Sequence, residues 1–87
     1  MVIKFEKVKE ILSQLKDGRS SREAAERWAI GVRGACDARE LEYFPLFKER
    51  KIWEAVLFIE LYAEKISPET YLYSQIDLEK FIYENEW

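Results

Sequence analysis

The sequence contains no histidine. That removes the commonest general base near neutral pH and the commonest metal ligand. It has one cysteine, Cys36, so no internal disulfide can form, and no histidine is present to activate the thiol. We read Cys36 as a small packed thiol and expect a reducing, cytoplasmic setting. Glycine occurs three times, at Gly18, Gly31 and Gly34, a spacing that matches no phosphate-cradling loop. No serine sits in a G-x-S-x-G elbow. The longest uninterrupted apolar run, Ala55 to Ile59, is far short of the roughly 20 residues a membrane helix needs. Met1 to Glu10 alternates charged and apolar residues and lacks the apolar core of a secretory signal. These absences argue against an enzyme, a metal or cofactor site, and a membrane protein.

What remains is 87 residues, enough for one domain spanning 1–87, with 48% apolar and 15% aromatic side chains. The charge is uneven. Met1 to Gly34 carries eight Lys/Arg and five Asp/Glu, a balance of +3. Ala35 to Trp87 carries six and twelve, a balance of −6. An acidic second half repels nucleic acid and attracts basic partners.

Periodicity predicts four helices. The first spans about Ile3 to Lys16, with Phe5, Val8, Ile11, Leu12 and Leu15 on one stripe and Gly18 closing it. The second starts near Ser21 and runs to Val32 or as far as Ala38. Ser20 is its N-cap, Glu23 completes a capping box, and Ala24, Ala25, Trp28, Ala29 and Val32 face inward. The third spans about Phe47 or Lys48 to Lys65. Ile52, Ala55, Val56, Ile59, Tyr62 and Ala63 share a broad face, with Phe58 and Leu61 on the opposite side. A helix apolar nearly all round belongs at the centre of its domain, unless its second face meets a partner, which leaves a homodimer open. The fourth spans Gln75 to Glu86, capped by Ser74 and Asp77, with Leu78, Phe81 and Ile82 buried. Ser67-Pro68-Glu69 reads as a helix start or a tight turn. No segment is a convincing strand, although Leu41 to Phe47 and Tyr71 to Tyr73 allow short extended pieces. The expected fold is therefore all-α, a compact bundle of about four helices with an aromatic-rich connection between the second and third.

That connection, Glu40 to Phe47, holds Leu41, Tyr43, Phe44, Leu46 and Phe47, and Pro45 bars a regular helix through it. Surface connections are usually polar, so this one must pack down or meet a partner. Asp37, Glu40, Glu42 and Glu49 surround Tyr43 and Phe44, while Glu69 and Asp77 flank Tyr71 and Tyr73. Aromatic anchors with a charged rim are how protein interfaces concentrate binding energy. All of these but Glu49, nine residues, are the candidate partner-binding surface. A competing reading is a helix-turn-helix DNA binder, in which Gly18-Arg19 is the turn and Arg22 and Arg27 face DNA. Against it, Glu23 and Glu26 interleave with those arginines and the sequence pI is about 5.1. The carboxylate pairs Glu6/Glu10 and Glu60/Glu64 read as solvated helix faces.

Three stretches in this order carry a resemblance: S-R-E-A-A-E-R-W-A from Ser21 to Ala29, I-W-E-A-V-L-F-I-E-L from Ile52 to Leu61, and S-P-E-T-Y-L-Y-S-Q-I-D-L-E-K-F from Ser67 to Phe81. Together they resemble a group of small, acidic, all-helical bacterial proteins, largely uncharacterised, some of which look like immunity proteins of toxin systems. The resemblance spans about Phe5 to Tyr83 and rests on core-like motifs, so it implies fold first. It implies an inhibitor that neutralises a toxin, with a basic toxin domain such as a nuclease as partner, and it assigns no residue a role. The sequence departs from the group before the Trp53 helix, where Lys48, Arg50 and Lys51 stand beside Glu49 in place of an acidic stretch.

Overall fold

The computed structural model describes all residues, Met1–Trp87. In chain order it contains β1 (Val2–Lys4), α1 (Phe5–Lys16), α2 (Arg22–Asp37), β2 (Glu42–Phe44), a 3-10 turn (Leu46–Lys48), α3 (Glu49–Tyr62), β3 (Lys65–Ser67), β4 (Thr70–Tyr71) and α4 (Gln75–Glu84). Four helices form as the periodicity predicts. The all-α expectation is corrected by two small two-stranded sheets, β1–β2 parallel and β3–β4 antiparallel.

The stripe of α1 buries Val8, Ile11, Leu12 and Leu15. The helix starts at Phe5 rather than Ile3, because Val2 to Lys4 finds a strand partner. Ile3 pairs with Tyr43 and is buried, while Val2 and Lys4 point out. Gly18 ends the segment with φ +76°, and the N–H groups of Arg19 and Ser20 reach back to the Gln14 carbonyl at 2.8 and 3.2 Å.

The N-cap of α2 is Ser21, not Ser20. The Ser21 hydroxyl accepts from the Ala24 N–H at 3.1 Å, which shifts the cap by one residue and leaves Glu23 outside a capping box. The helix then passes through Gly31 and Gly34 to Asp37. Each glycine costs about 1 kcal/mol relative to alanine. Burial of Ala25, Ala29 and Val32 against the core holds the helix together across them.

The centre of the molecule is α3. Ile52, Ala55, Val56 and Ile59 are fully buried, and Tyr62 nearly so. Its second face is divided. Phe58 is covered, stacked on Phe81 at 4.1 Å and near Tyr73 at 5.4 Å, whereas Leu57 and Leu61 are exposed. The helix ends at Tyr62 rather than Lys65, because Lys65 pairs with Tyr71 across a hairpin whose turn is Pro68-Glu69. Ser74 and Asp77 form the predicted capping box of α4, which buries Leu78. This helix stops at Glu84, short of Glu86, and the chain folds back so that Trp87 stacks on Phe5 at 4.6 Å. Trp28 and Trp53 are only half-buried, packed against the core rather than inside it.

Candidate functional site

Two places answer to the acidic and aromatic residues, and they differ in kind. The first is the connection from α2 to α3. Strand alternation separates its neighbours. Tyr43 turns inward and is half-buried beside Cys36, Glu49, Arg50 and Trp53, which line a shallow groove of 390 Å³ with it. Burial pushes the Tyr43 phenol above its ordinary value, and negative charge at Cys36 and Glu49 adds to this. Glu42 and Phe44 turn outward, opposite Val2 and Lys4. The β1–β2 pairing extends back to Met1, whose carbonyl accepts from the Glu42 N–H at 2.8 Å, while its amino group donates to the Glu40 carbonyl at 2.6 Å. Asp37 lies at the end of α2, exposed, near Ile30, Arg33, Gly34 and Glu60.

Beyond Phe44 the Phe44–Pro45 peptide is cis, and the 3-10 turn follows. Phe44, Leu46 and Phe47 are 63%, 71% and 84% exposed. Three large apolar side chains within four residues, all facing water, form a patch of the kind that marks an interaction site. Phe44 and Phe47 also border a 270 Å³ groove with Lys4, Phe5, Glu6 and Lys48. Leu41 packs against the core. The connection thus does both things its composition allows, anchoring through Leu41 and Tyr43 and presenting Phe44, Leu46 and Phe47.

The second place is the β3–β4 hairpin, where the structure ties down most of what the sequence singled out. The Tyr71 hydroxyl donates to Glu23 Oε1 at 2.6 Å. The Arg22 guanidinium lies between the Tyr62 and Tyr71 rings, 3.9 Å from each centroid, and donates to the carbonyls of Tyr62 and Tyr73 at 2.8 and 2.6 Å. Tyr73 packs against Phe58. Asp77 is held by the N–H and hydroxyl of Ser74, and these hydrogen bonds keep its carboxyl below its ordinary value. Only Glu69, in the turn, is free of such ties.

These contacts also bear on the helix-turn-helix geometry. Arg22 is spent on the hairpin, Arg19 pairs with Asp17 at 2.9 Å, and Arg33 pairs with Glu60 at 2.6 Å. On the outer side of α2 only Arg27 is left without such a contact.

The hydrogen bond between Tyr71 and Glu23 sets a pH dependence. It raises the phenol pKa and lowers the carboxyl pKa. The phenol's contribution to stability is complete below its unfolded pKa, about 10, and is lost as pH rises through the raised folded value. The carboxylate's contribution is complete above its unfolded pKa, about 4.3, and is lost as pH falls through the lowered folded value. Tyr71→Phe is therefore expected to lower the melting temperature at neutral pH. The difference from the wild type should shrink at both extremes. A melting-temperature profile with a constant offset at every pH would contradict this pairing.

Sequence reasoning assigned Tyr43, Tyr71, Tyr73 and Asp77 by composition and did not include Val2, Lys4, Leu46, Phe47 and Lys48. The high apolar content of the connection was the only signal for Leu46 and Phe47. Val2 and Lys4 join the site through the parallel pairing with β2, which leaves no mark in local sequence. No family model, curated protein or solved structure matches this chain.

Proposed function

We propose that this chain is a non-catalytic protein-binding module, an inhibitor of the immunity type that covers a bacterial toxin domain. The observation that carries this reading is the run Phe44, Leu46 and Phe47, held in water where the end of β2 leads through the 3-10 turn into α3. Exposing these side chains gives up burial worth about 1.5–3 kcal/mol each, and contact with a partner would recover it. The flank leading into the turn carries Asp37, Glu40 and Glu42, all exposed, which suits a basic target such as a nuclease. The alternative, a small regulator binding DNA through α2, has less support because Arg22 and Arg33 are already engaged.

The test is co-purification of the tagged protein from its producing cell at moderate salt, run beside a Phe47→Asp variant. A basic toxin domain in one-to-one ratio is expected with the wild type. Hot-spot side chains are worth about 2 kcal/mol or more, so Phe47→Asp should weaken that complex roughly 30-fold or more while the chain stays folded. Recovery of DNA-associated material, or a complex indifferent to Phe47→Asp, would count against the proposal.

A further inference from the structure

Although the chain is acidic overall, the groove beside the aromatic turn is not. Lys4 and Lys48 line it, and Lys51 lies 5.5 Å from the Phe5 ring in its floor. Glu6 is the one acid in the lining, which carries a net charge of +1, and Lys51 stands just outside it. None of the three lysines takes part in the chain's ion pairs, which are Lys7–Glu10, Asp17–Arg19, Arg33–Glu60, Arg50–Glu54 and Lys80–Glu84.

The outer face of α4 has the opposite character. Ile76 and Tyr83, seven residues apart, are 75% and 86% exposed. That spacing puts both on one stripe, the pattern by which a helix anchors itself in an apolar groove. Within α4, Asp77, Glu79 and Glu84 accompany them against Lys80, a net charge of −2, and Glu86 follows two residues beyond the helix end. Glu79 and Glu86 are free of ion pairs.

The two features adjoin. Trp87, three residues beyond the end of α4, stacks on Phe5, which lines the first groove, and itself lines a further groove with Lys16, Glu79, Tyr83 and Glu86. Lys51 links them as well, donating to the Glu86 carbonyl at 3.1 Å.

We infer that the occupant of the groove is α4 of a second copy of this chain, with the exchange made twice about a two-fold axis. Each copy sets Ile76 and Tyr83 against the partner's Phe44 and Phe47, and Glu79 and Glu86 against the partner's Lys4 and Lys48. An isologous contact of this kind closes at two chains. A stable interface needs about 800 Å² per partner, roughly a seventh of the 5894 Å² this chain exposes. The inference does not depend on the toxin reading, since it concerns the chain alone, but the pairing covers the same aromatic turn. A target protein would have to displace the second copy.

Sedimentation equilibrium on the full chain tests it. At low salt the mass should approach twice 10.5 kDa and go no higher. Raising salt from about 0.1 to about 1 M shortens the Debye length from about 10 to about 3 Å and should weaken the dimer roughly tenfold or more. The double variant Lys4→Glu/Lys48→Glu should be monomeric, and so should Glu79→Lys/Glu86→Lys. Mixed one to one, the two should form a heterodimer, because each contact then joins opposite charges again. That rescue also shows that both variants are folded. A wild type that stays monomeric at every concentration would overturn the inference. So would masses beyond two chains, or a mixture of the two doubles that fails to pair.

Discussion

Ile59→Ala is expected to remove about 2–5 kcal/mol of stability. The side chain is fully buried in the middle of α3, the helix that packs against both α1 and α2. Truncation deletes apolar contacts and leaves a cavity that helices anchored at several other points cannot close. A domain of this size has a total stability of roughly 4–13 kcal/mol, so the loss is a large share of it. Urea unfolding should show a lower midpoint with an unchanged slope. Leu57→Ala, two residues earlier on the same helix but exposed, should cost under about 1 kcal/mol. Equal losses at both positions would contradict the placement of α3 at the centre of the domain.

Arg22→Ala is expected to cost about 2–3 kcal/mol, more than an exposed arginine would. The guanidinium closes the gap between α2 and the hairpin, stacked between two tyrosine rings and donating to two carbonyls. Its loss removes both ring contacts, each worth about 0.5–1 kcal/mol at a partly open site, and strands the Tyr62 and Tyr73 carbonyls. Arg22→Lys should recover less than half, because an ammonium cannot stack and fork at once. Amide exchange gives a local readout. Lys65 to Tyr71 should lose protection in Arg22→Ala well before the α3 core does. Unchanged hairpin protection would show that Arg22 does not latch it.

The exposed turn and the latch show how differently the two aromatic clusters are used, although their sequences look alike. Both combine tyrosines with carboxylates. At Tyr71 the carboxylate partner is Glu23, 48 residues away, and the ring is closed over by Arg22, 49 residues away. At Phe44 no such partner arrives, and the ring stays in water.

Several features were fixed by local chemistry. The stripes of α1 and α3 are legible because buried residues recur at three and four positions, a period that backbone geometry imposes. Gly18 and the Ser74/Asp77 box mark helix ends because a left-handed residue and a side-chain acceptor are local needs. The central position of α3 follows from the stretch Ile52 to Ala63, where only Glu54 and Glu60 carry charge to present to water. The presence of both sheets, and the residues that share each surface, were decided only in three dimensions. Val2 to Lys4 has two β-branched residues, but it could as well have opened the first helix. It becomes a strand because β2 supplies its hydrogen bonds from about 40 residues away. The Ser21 cap, the inward turn of Arg22, and the division between Tyr43 inside and Phe44 outside likewise depend on what packs alongside. A side chain's partner across the fold is not encoded in its neighbours along the chain, and burial rather than residue type decides which aromatics remain free to bind.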